Sequence, residues 1–205
     1  ADIGHGTRMR VLNPDRGQLF GLQQKWDGVA DRLGGLSPED RLIVLARIAD
    51  DSLANIASIV VHIEKGGSTM LLTGDARGDN VVSGMRRAEL LPNGHAHVDI
   101  LKVPHHGSDR NVDTAFFTAI TADHYVFSGD RHGPGSNPDR ATIQMVLEVR
   151  GSDPYTMHFT NSDATVRRWI REDRNQNPSR NYDVFFPGSQ DHGIWIDLED
   201  EQLWF

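Results

Sequence analysis

Four side chains that can bind metal ions or transfer protons follow three predicted β-strands. Asp75 ends the run Leu71–Asp75, the pair His105 and His106 follows a second strand, and His132 lies in the loop after a third. In layered α/β proteins, side chains at the carboxyl ends of strands leave the sheet and converge while the strands stay rigid. We therefore predict that these three loops meet and jointly hold a cation.

The residue types narrow the chemistry of such a site. The chain has no cysteine, which excludes disulfides and thiolate ligands and leaves carboxylates and imidazoles as donors. One carboxylate with two or more neutral imidazoles suits zinc, manganese or iron. Such an ion can lower the pKa of a bound water to about 7 and so provide a hydroxide nucleophile. Gly74 followed by Asp75 is also a common turn sequence that needs no metal, but the histidine pair at the next strand end favours a metal site.

Composition excludes several classes of protein. The 205 residues, 38% of them apolar, suit one globular domain, and a formal net charge of −8 leaves no general basic surface for nucleic acid, although a local groove could remain. No apolar run approaches the length of about 20 residues that a membrane span requires. We expect a soluble protein and assign it to the cytoplasm, although the lack of cysteine does not fix the compartment.

The pattern of apolar residues predicts alternating strands and helices. Apolar spacings of three and four over Leu19–Leu33 indicate a helix, and Ser37 with Pro38 opens a second helix that extends to Ala49. The other predicted strands are Met9–Leu12, Ser58–Glu64, Thr69–Thr73, Val98–Val103, His124–Ser128 and Tyr155–Thr160. The other predicted helices are Asn80–Leu90, Asp113–Ile120 and Pro138–Val149. This alternation predicts a layered α/β domain, with Ser58–Thr73 as a hairpin.

The last part of the chain differs in character. Residues 172–191 are rich in polar residues and are predicted to form a mobile surface loop. Residues 192–205 are predicted to form a closing hairpin in which Trp195 and Trp204 pack.

The order of these motifs resembles the carboxyl-terminal half of a metallo-β-lactamase superfamily hydrolase. The closest branch is the one with the metal-binding domain of the competence DNA-uptake channel protein. The resemblance covers roughly Met9 to Thr160 and is carried by the Ser-Ile-Val-Val strand, a Gly-Gly turn, Leu-Leu-Thr-Gly-Asp, Asp-Ile-Leu-Lys-Val-Pro-His-His-Gly-Ser, Tyr-Val-Phe-Ser, and a later His-Gly and Asn-Pro. Its most specific motifs are Leu71–Asp75 and Asp99–Ser108.

The resemblance implies a fold and a set of site residues. The fold would be a four-layer αββα sandwich with one or two zinc ions, or manganese or iron, at one edge of its sheets. Asp75 matches the aspartate that bridges two metals. Either His105 or His106 matches the histidine ligand after a late strand; adjacent side chains of an extended segment point apart, and we favour His106. His132 would lie near the substrate or contribute a proton, although its loop is longer than the family's His-Gly-Asn-Pro.

The chain departs from the family in its other half. The family carries His-x-His-x-Asp-His after an early strand. This chain has only the similar string His95–Asp99, which precedes a strand and lacks the last histidine, so we interpret it as unrelated to that motif. Asn55 stands where a further histidine is common, as in the competence-type branch. We therefore expect residues 1–205 to be the carboxyl-terminal half of one domain. Its missing amino-terminal half would precede it in the same polypeptide or come from a separate chain.

The resemblance also implies a reaction. The complete enzyme would hydrolyse an ester, which the competence-type resemblance implies to be a phosphodiester in a small molecule or a nucleic acid, and the 205 residues alone would be inactive. A half sandwich would expose an apolar sheet face, so we expect tight association with the missing half or a homo-oligomer. The alternative is a non-catalytic binding or structural module of a larger assembly that has lost the metal site.

Several polar residues near the loops have more than one possible role. Lys102, Arg110, Arg131 and Arg140 could meet an anionic substrate or could simply lie in solvent. Ser108 lacks a nucleophile elbow and is predicted to orient its neighbours instead.

Overall fold

A seven-stranded mixed sheet organises the protein. The computed structural model describes residues 2–41, 55, 57–132, 136–188 and 193–198. The strands lie side by side in chain order. They are β1 (Thr7–Asn13), β2 (Val60–Lys65), β3 (Ser68–Leu72), β4 (Ala96–Lys102), β5 (Ile120–Phe127), β6 (Tyr155–Phe159) and β7 (Tyr182–Phe185). The predicted α/β class is therefore confirmed.

The sheet changes from antiparallel to parallel along its width. β1 pairs with β2 and β2 with β3 in antiparallel fashion, whereas β3 through β7 are parallel. The predicted hairpin is confirmed: its turn contains Gly66 and Gly67 with φ of 61° and 98°, a backbone region that favours glycine. Because β3, β4 and β5 run in the same direction, their carboxyl ends lie at one edge of the sheet.

The helices of the described residues are α1 (Arg16–Gly34), α2 (Gly78–Arg87), α3 (Thr114–Ala119), α4 (Arg140–Arg150) and α5 (Ala164–Gln176). The last four, α2 to α5, pack against one face of the sheet. The register partners Leu71 and Leu101 belong to the hydrophobic core that α2 to α5 share with the sheet, and both are fully buried. Asp15 begins α1 with a reciprocal capping box, and Asp163 caps α5. Within the part of the chain that the structure describes, no helix has the length and apolarity to cross a membrane.

Over β1 to β3, the second face of the sheet is apolar and much less covered than the first. Strand register places six apolar side chains together on it: Met9, Val11, Val61, Ile63, Met70 and Leu72. Val11 is 63% exposed and the other five are half-buried, whereas Leu71, which points to the opposite face, is fully buried. We call these six residues the open face.

The predicted loop over residues 172–191 is wrong at two places. α5 continues to Gln176, and β7 pairs in parallel with β6. Tertiary contacts explain the difference: the carboxylate of Asp173 accepts a hydrogen bond of 2.8 Å from the hydroxyl of Tyr182, whose ring stacks on Tyr155 at 5.8 Å. These contacts stabilise a segment whose sequence is mostly polar.

Two further predictions concern residues that are only partly described. Residues 38–41 are helical, and the rest of the second predicted helix lies outside the described residues. No strand occurs over residues 193–198, so the predicted hairpin is absent from the described part of 192–205. Trp195 is 81% exposed instead of packed, and Trp204 lies outside the described residues.

Candidate functional site

Hydrogen bonds tie together the loops that follow β3, β4 and β5. The backbone N–H of His105 donates to the carbonyl of Gly74 at 3.1 Å, which joins the first two loops. The side-chain amide of Asn137 donates to the carbonyl of His105 at 3.1 Å, and the N–H of Asp139 donates to the carbonyl of Gly107 at 2.9 Å. The three loops therefore meet at the carboxyl-terminal edge of the sheet.

Asp75 and His106 face each other at this junction. Nε2 of His106 lies 3.4 Å from Oδ1 of Asp75, and the two side chains are 43% and 39% exposed. Nδ1 of His106 lies 2.9 Å from the hydroxyl of Ser128, directly after β5. The N–H of Asp75 donates to the hydroxyl of Ser58 at 2.8 Å. Ser128 therefore orients the imidazole so that its other nitrogen points at the carboxylate, as the partners of metal-binding histidines do.

The two histidines occupy a strained turn and not the extended segment that we expected. Residues Pro104–Gly107 form a 3-10 turn in which His105 and His106 have φ of 46° and 58°. The left-handed conformation costs a non-glycine residue roughly 1–2 kcal/mol, and such strain concentrates at functional sites. Nδ1 of His105 lies 3.2 Å from the amide nitrogen of Asn55, so His106 is the histidine that faces Asp75.

His132 does not join this pair. Its side chain is 86% exposed, and its Nδ1 lies 2.7 Å from the carbonyl oxygen of Asp130 in its own loop. Among the described residues, it makes no hydrogen bond or ion pair with Asp75 or His106. The loops thus bring together two of the four predicted side chains directly, with His105 beside them.

Nearby charges and burial act on the imidazole of His106. Burial lowers the pKa of His106, the ammonium of Lys102 lowers it further, and the carboxylate of Asp75 opposes both effects. Burial also lowers the pKa of Lys102, again opposed by Asp75. At neutral pH His106 is therefore held in the neutral form that binds metal ions.

The geometry of Asp75 and His106 fits two ligands of one zinc ion. Ligand atoms about 2.0–2.1 Å from a tetrahedral zinc lie roughly 3.3 Å apart. The observed 3.4 Å matches this separation and is longer than a charge-assisted hydrogen bond. Across the described residues, however, no three His, Asp or Glu side chains are arranged to hold a metal ion. Asp75 and His106 would thus be two of the three protein ligands that a catalytic zinc ion normally has.

Other residues singled out in the sequence have structural partners. In the string His95–Asp99, His97 lies near the start of β4 and away from the site, and its Nε2 is 3.1 Å from Oδ1 of Asp123. Arg140 pairs with Glu172 at 2.8 Å. The guanidinium of Arg131 bonds backbone carbonyls of its own loop.

The sequence reasoning missed Ser128 and Ser58 as supports of the site. The signal for Ser128 in the sequence is that a polar residue directly follows the apolar strand β5. The sequence matches no model of a known protein family.

Proposed function

We propose that this chain is the carboxyl-terminal half of a metallo-β-lactamase-like αββα domain and that it contributes Asp75 and His106 to a metal-dependent hydrolase. The observation that carries the proposal is the 3.4 Å separation of Nε2 of His106 and Oδ1 of Asp75 at the junction of three strand-end loops. Zinc is the preferred ion, and manganese or iron would take the same donors.

Each residue of the site has a distinct role in this proposal. Asp75 and His106 hold the ion, and the hydroxyl of Ser128 keeps Nε2 of His106 directed at it. A bound zinc ion would supply Lewis acidity and a water of lowered pKa. The proposed substrate is a phosphodiester, in a small molecule or a nucleic acid, by resemblance of the motifs. His132 is proposed to transfer a proton, from a loop that starts at the same sheet edge.

The remaining ligands are proposed to come from an amino-terminal half, in the same polypeptide or a separate chain. Two ligands are fewer than the three protein ligands that a catalytic zinc normally has. The open face supports this partner, because two sheets that pack face to face bury apolar side chains between them. Val11 on that face is 63% exposed. A homo-oligomer through the open face is the competing arrangement.

The test combines the chain with a segment that carries His-x-His-x-Asp-His. Hydrolysis of bis(p-nitrophenyl) phosphate is measured with zinc or manganese for the parent, Asp75→Ala and His106→Ala. Both variants should lose most of the activity and of the bound zinc. His97→Ala is the matched control, because His97 also faces a carboxylate but near the other end of β4. Rates equal to the parent's in both site variants would refute the proposal.

His132 needs a separate measurement. If it transfers a proton, His132→Ala should lower kcat and alter the pH profile while zinc content stays unchanged. An unchanged kcat and pH profile would remove His132 from the mechanism.

A second candidate function is a non-catalytic binding or structural module. It is favoured by the observation that no group of three metal-binding side chains occurs among the described residues. Elemental analysis of the protein assembled with its missing half separates the two: stoichiometric zinc supports the hydrolase, and protein without zinc supports the module.

A further inference from the structure

Lys102, the last residue of β4, places a cation at the candidate site. Its ammonium donates to the carbonyl of Gly74 at 2.8 Å and to the carbonyl of Val103 at 3.5 Å. Gly74 directly precedes Asp75, so the charge lies beside the candidate metal ligands. The side chain is half-buried.

The ammonium is incompletely paired. It has three N–H donors, and two of them are directed at the carbonyl oxygens of Gly74 and Val103. Among the described residues, Lys102 forms no ion pair with a carboxylate within 4.0 Å, and Asp75 acts on it only at longer range. A partly desolvated cation without a close counter-ion attracts an anion more strongly than a fully hydrated one does. One N–H and most of the charge therefore remain for a ligand.

We propose that Lys102 is the anion-binding residue of this site and selects phosphodiesters over neutral esters. The ammonium would bind a non-bridging oxygen of a phosphodiester monoanion beside Asp75 and His106. The selection between substrates rests on the proposed function, whereas the binding of the anion does not. The purely structural alternative is that Lys102 only holds the Gly74 carbonyl in place.

Anion binding is measurable without metal and without catalysis. Dimethyl phosphate, a diester monoanion, is titrated into the metal-free chain, and backbone amide shifts are followed by NMR. Trimethyl phosphate, the neutral triester with one more methyl group, is the ligand control. We expect saturable shifts at the amides of Asp75, Val103 and His105 with dimethyl phosphate and none with trimethyl phosphate.

Three variants test the role of the side chain. Lys102→Met should weaken dimethyl phosphate binding at least about tenfold, because a charge-assisted hydrogen bond is lost. Lys102→Arg should retain binding. Lys65→Met is the matched control, since Lys65 is an exposed lysine in the β2–β3 hairpin, and it should bind as the parent does.

The outcomes separate the inference from the proposed function. Equal binding by Lys102→Met and the parent, or equal binding of the two phosphates, would overturn the role of Lys102. If Lys102→Met does not fold, the parent decides: the absence of saturable shifts around Lys102 overturns the inference. In the assembled protein, Lys102→Met should lower kcat/KM for bis(p-nitrophenyl) phosphate far more than for p-nitrophenyl acetate. Retained anion binding alongside full activity of Asp75→Ala and His106→Ala would refute only the proposed function.

Discussion

The buried imidazole of His158 makes the stability of the fold depend on pH. His158, on β6, is 1% exposed, its Nε2 lies 3.0 Å from Nδ1 of His124, and its ring stacks on Phe185 at 5.4 Å. Burial, assisted by His124, lowers the pKa of His158 from 6.5 to about 3. The folded protein therefore keeps this histidine neutral at pH values where the unfolded chain binds a proton.

The magnitude follows from the two pKa values. Because the unfolded state takes up the proton first, the contribution is complete above the unfolded pKa of about 6.5 and is lost as the pH falls below it. Each pH unit below that value costs about 1.4 kcal/mol until the folded pKa is reached. At about pH 5 the free energy of unfolding should therefore be lower by about 2 kcal/mol from His158 alone.

Urea unfolding followed by circular dichroism, at about pH 7.5 and about pH 5, measures this loss. His158→Gln removes the titrating group and keeps a polar side chain. Between the two pH values, the free energy of unfolding of this variant should therefore decrease by about 2 kcal/mol less than that of the parent. His132→Gln, at an exposed histidine, is the control and should behave as the parent does. An equal fall in His158→Gln and the parent would refute the reasoning.

Three further predictions concern packing, the site and a cap. Gly84→Ala should lower the free energy of unfolding by about 1–3 kcal/mol in urea titrations, because the new Cβ would lie 2.6 Å from the carbonyl oxygen of Leu12; no loss would contradict the close packing of α2 on β1. Ser128→Ala should change the tautomer of His106, seen in its imidazole 15N shifts, and weaken the proposed zinc binding about 10–100-fold; unchanged shifts and affinity would exclude its orienting role. Asp163→Ala should cost about 1–2 kcal/mol in thermal unfolding, because its carboxylate accepts two backbone N–H groups at the start of α5; Asp163→Asn should recover most of this loss.

Sequence patterns predicted the fold best where the apolar signal was local. The β2–β3 hairpin was predictable because two β-branched or apolar runs flank a double glycine, and the helix over Arg16–Gly34 because apolar residues recur on one stripe. The end of α5 and the strand β7 were missed. Their stability depends on contacts such as the hydrogen bond from Tyr182 to Asp173, which local polarity does not reveal.

The expected conformation of the His105–His106 segment was wrong for a related reason. Two consecutive non-glycine residues in the left-handed region are unfavourable locally. Two hydrogen bonds of the His105 backbone hold this turn, one to the carbonyl of Gly74 and one from the side-chain amide of Asn137. Both partners are distant in sequence.

The amino-acid sequence by itself determined which donors this protein has and that they follow strands, because residue type and the alternation of apolar residues are local properties. Only the tertiary structure decided that His106 faces Asp75, that His105 faces Asn55 and that His132 turns to its own loop. The direction of a side chain depends on partners such as Ser128, which lies 22 residues from His106 along the chain and reaches it only when parallel strands end at one edge.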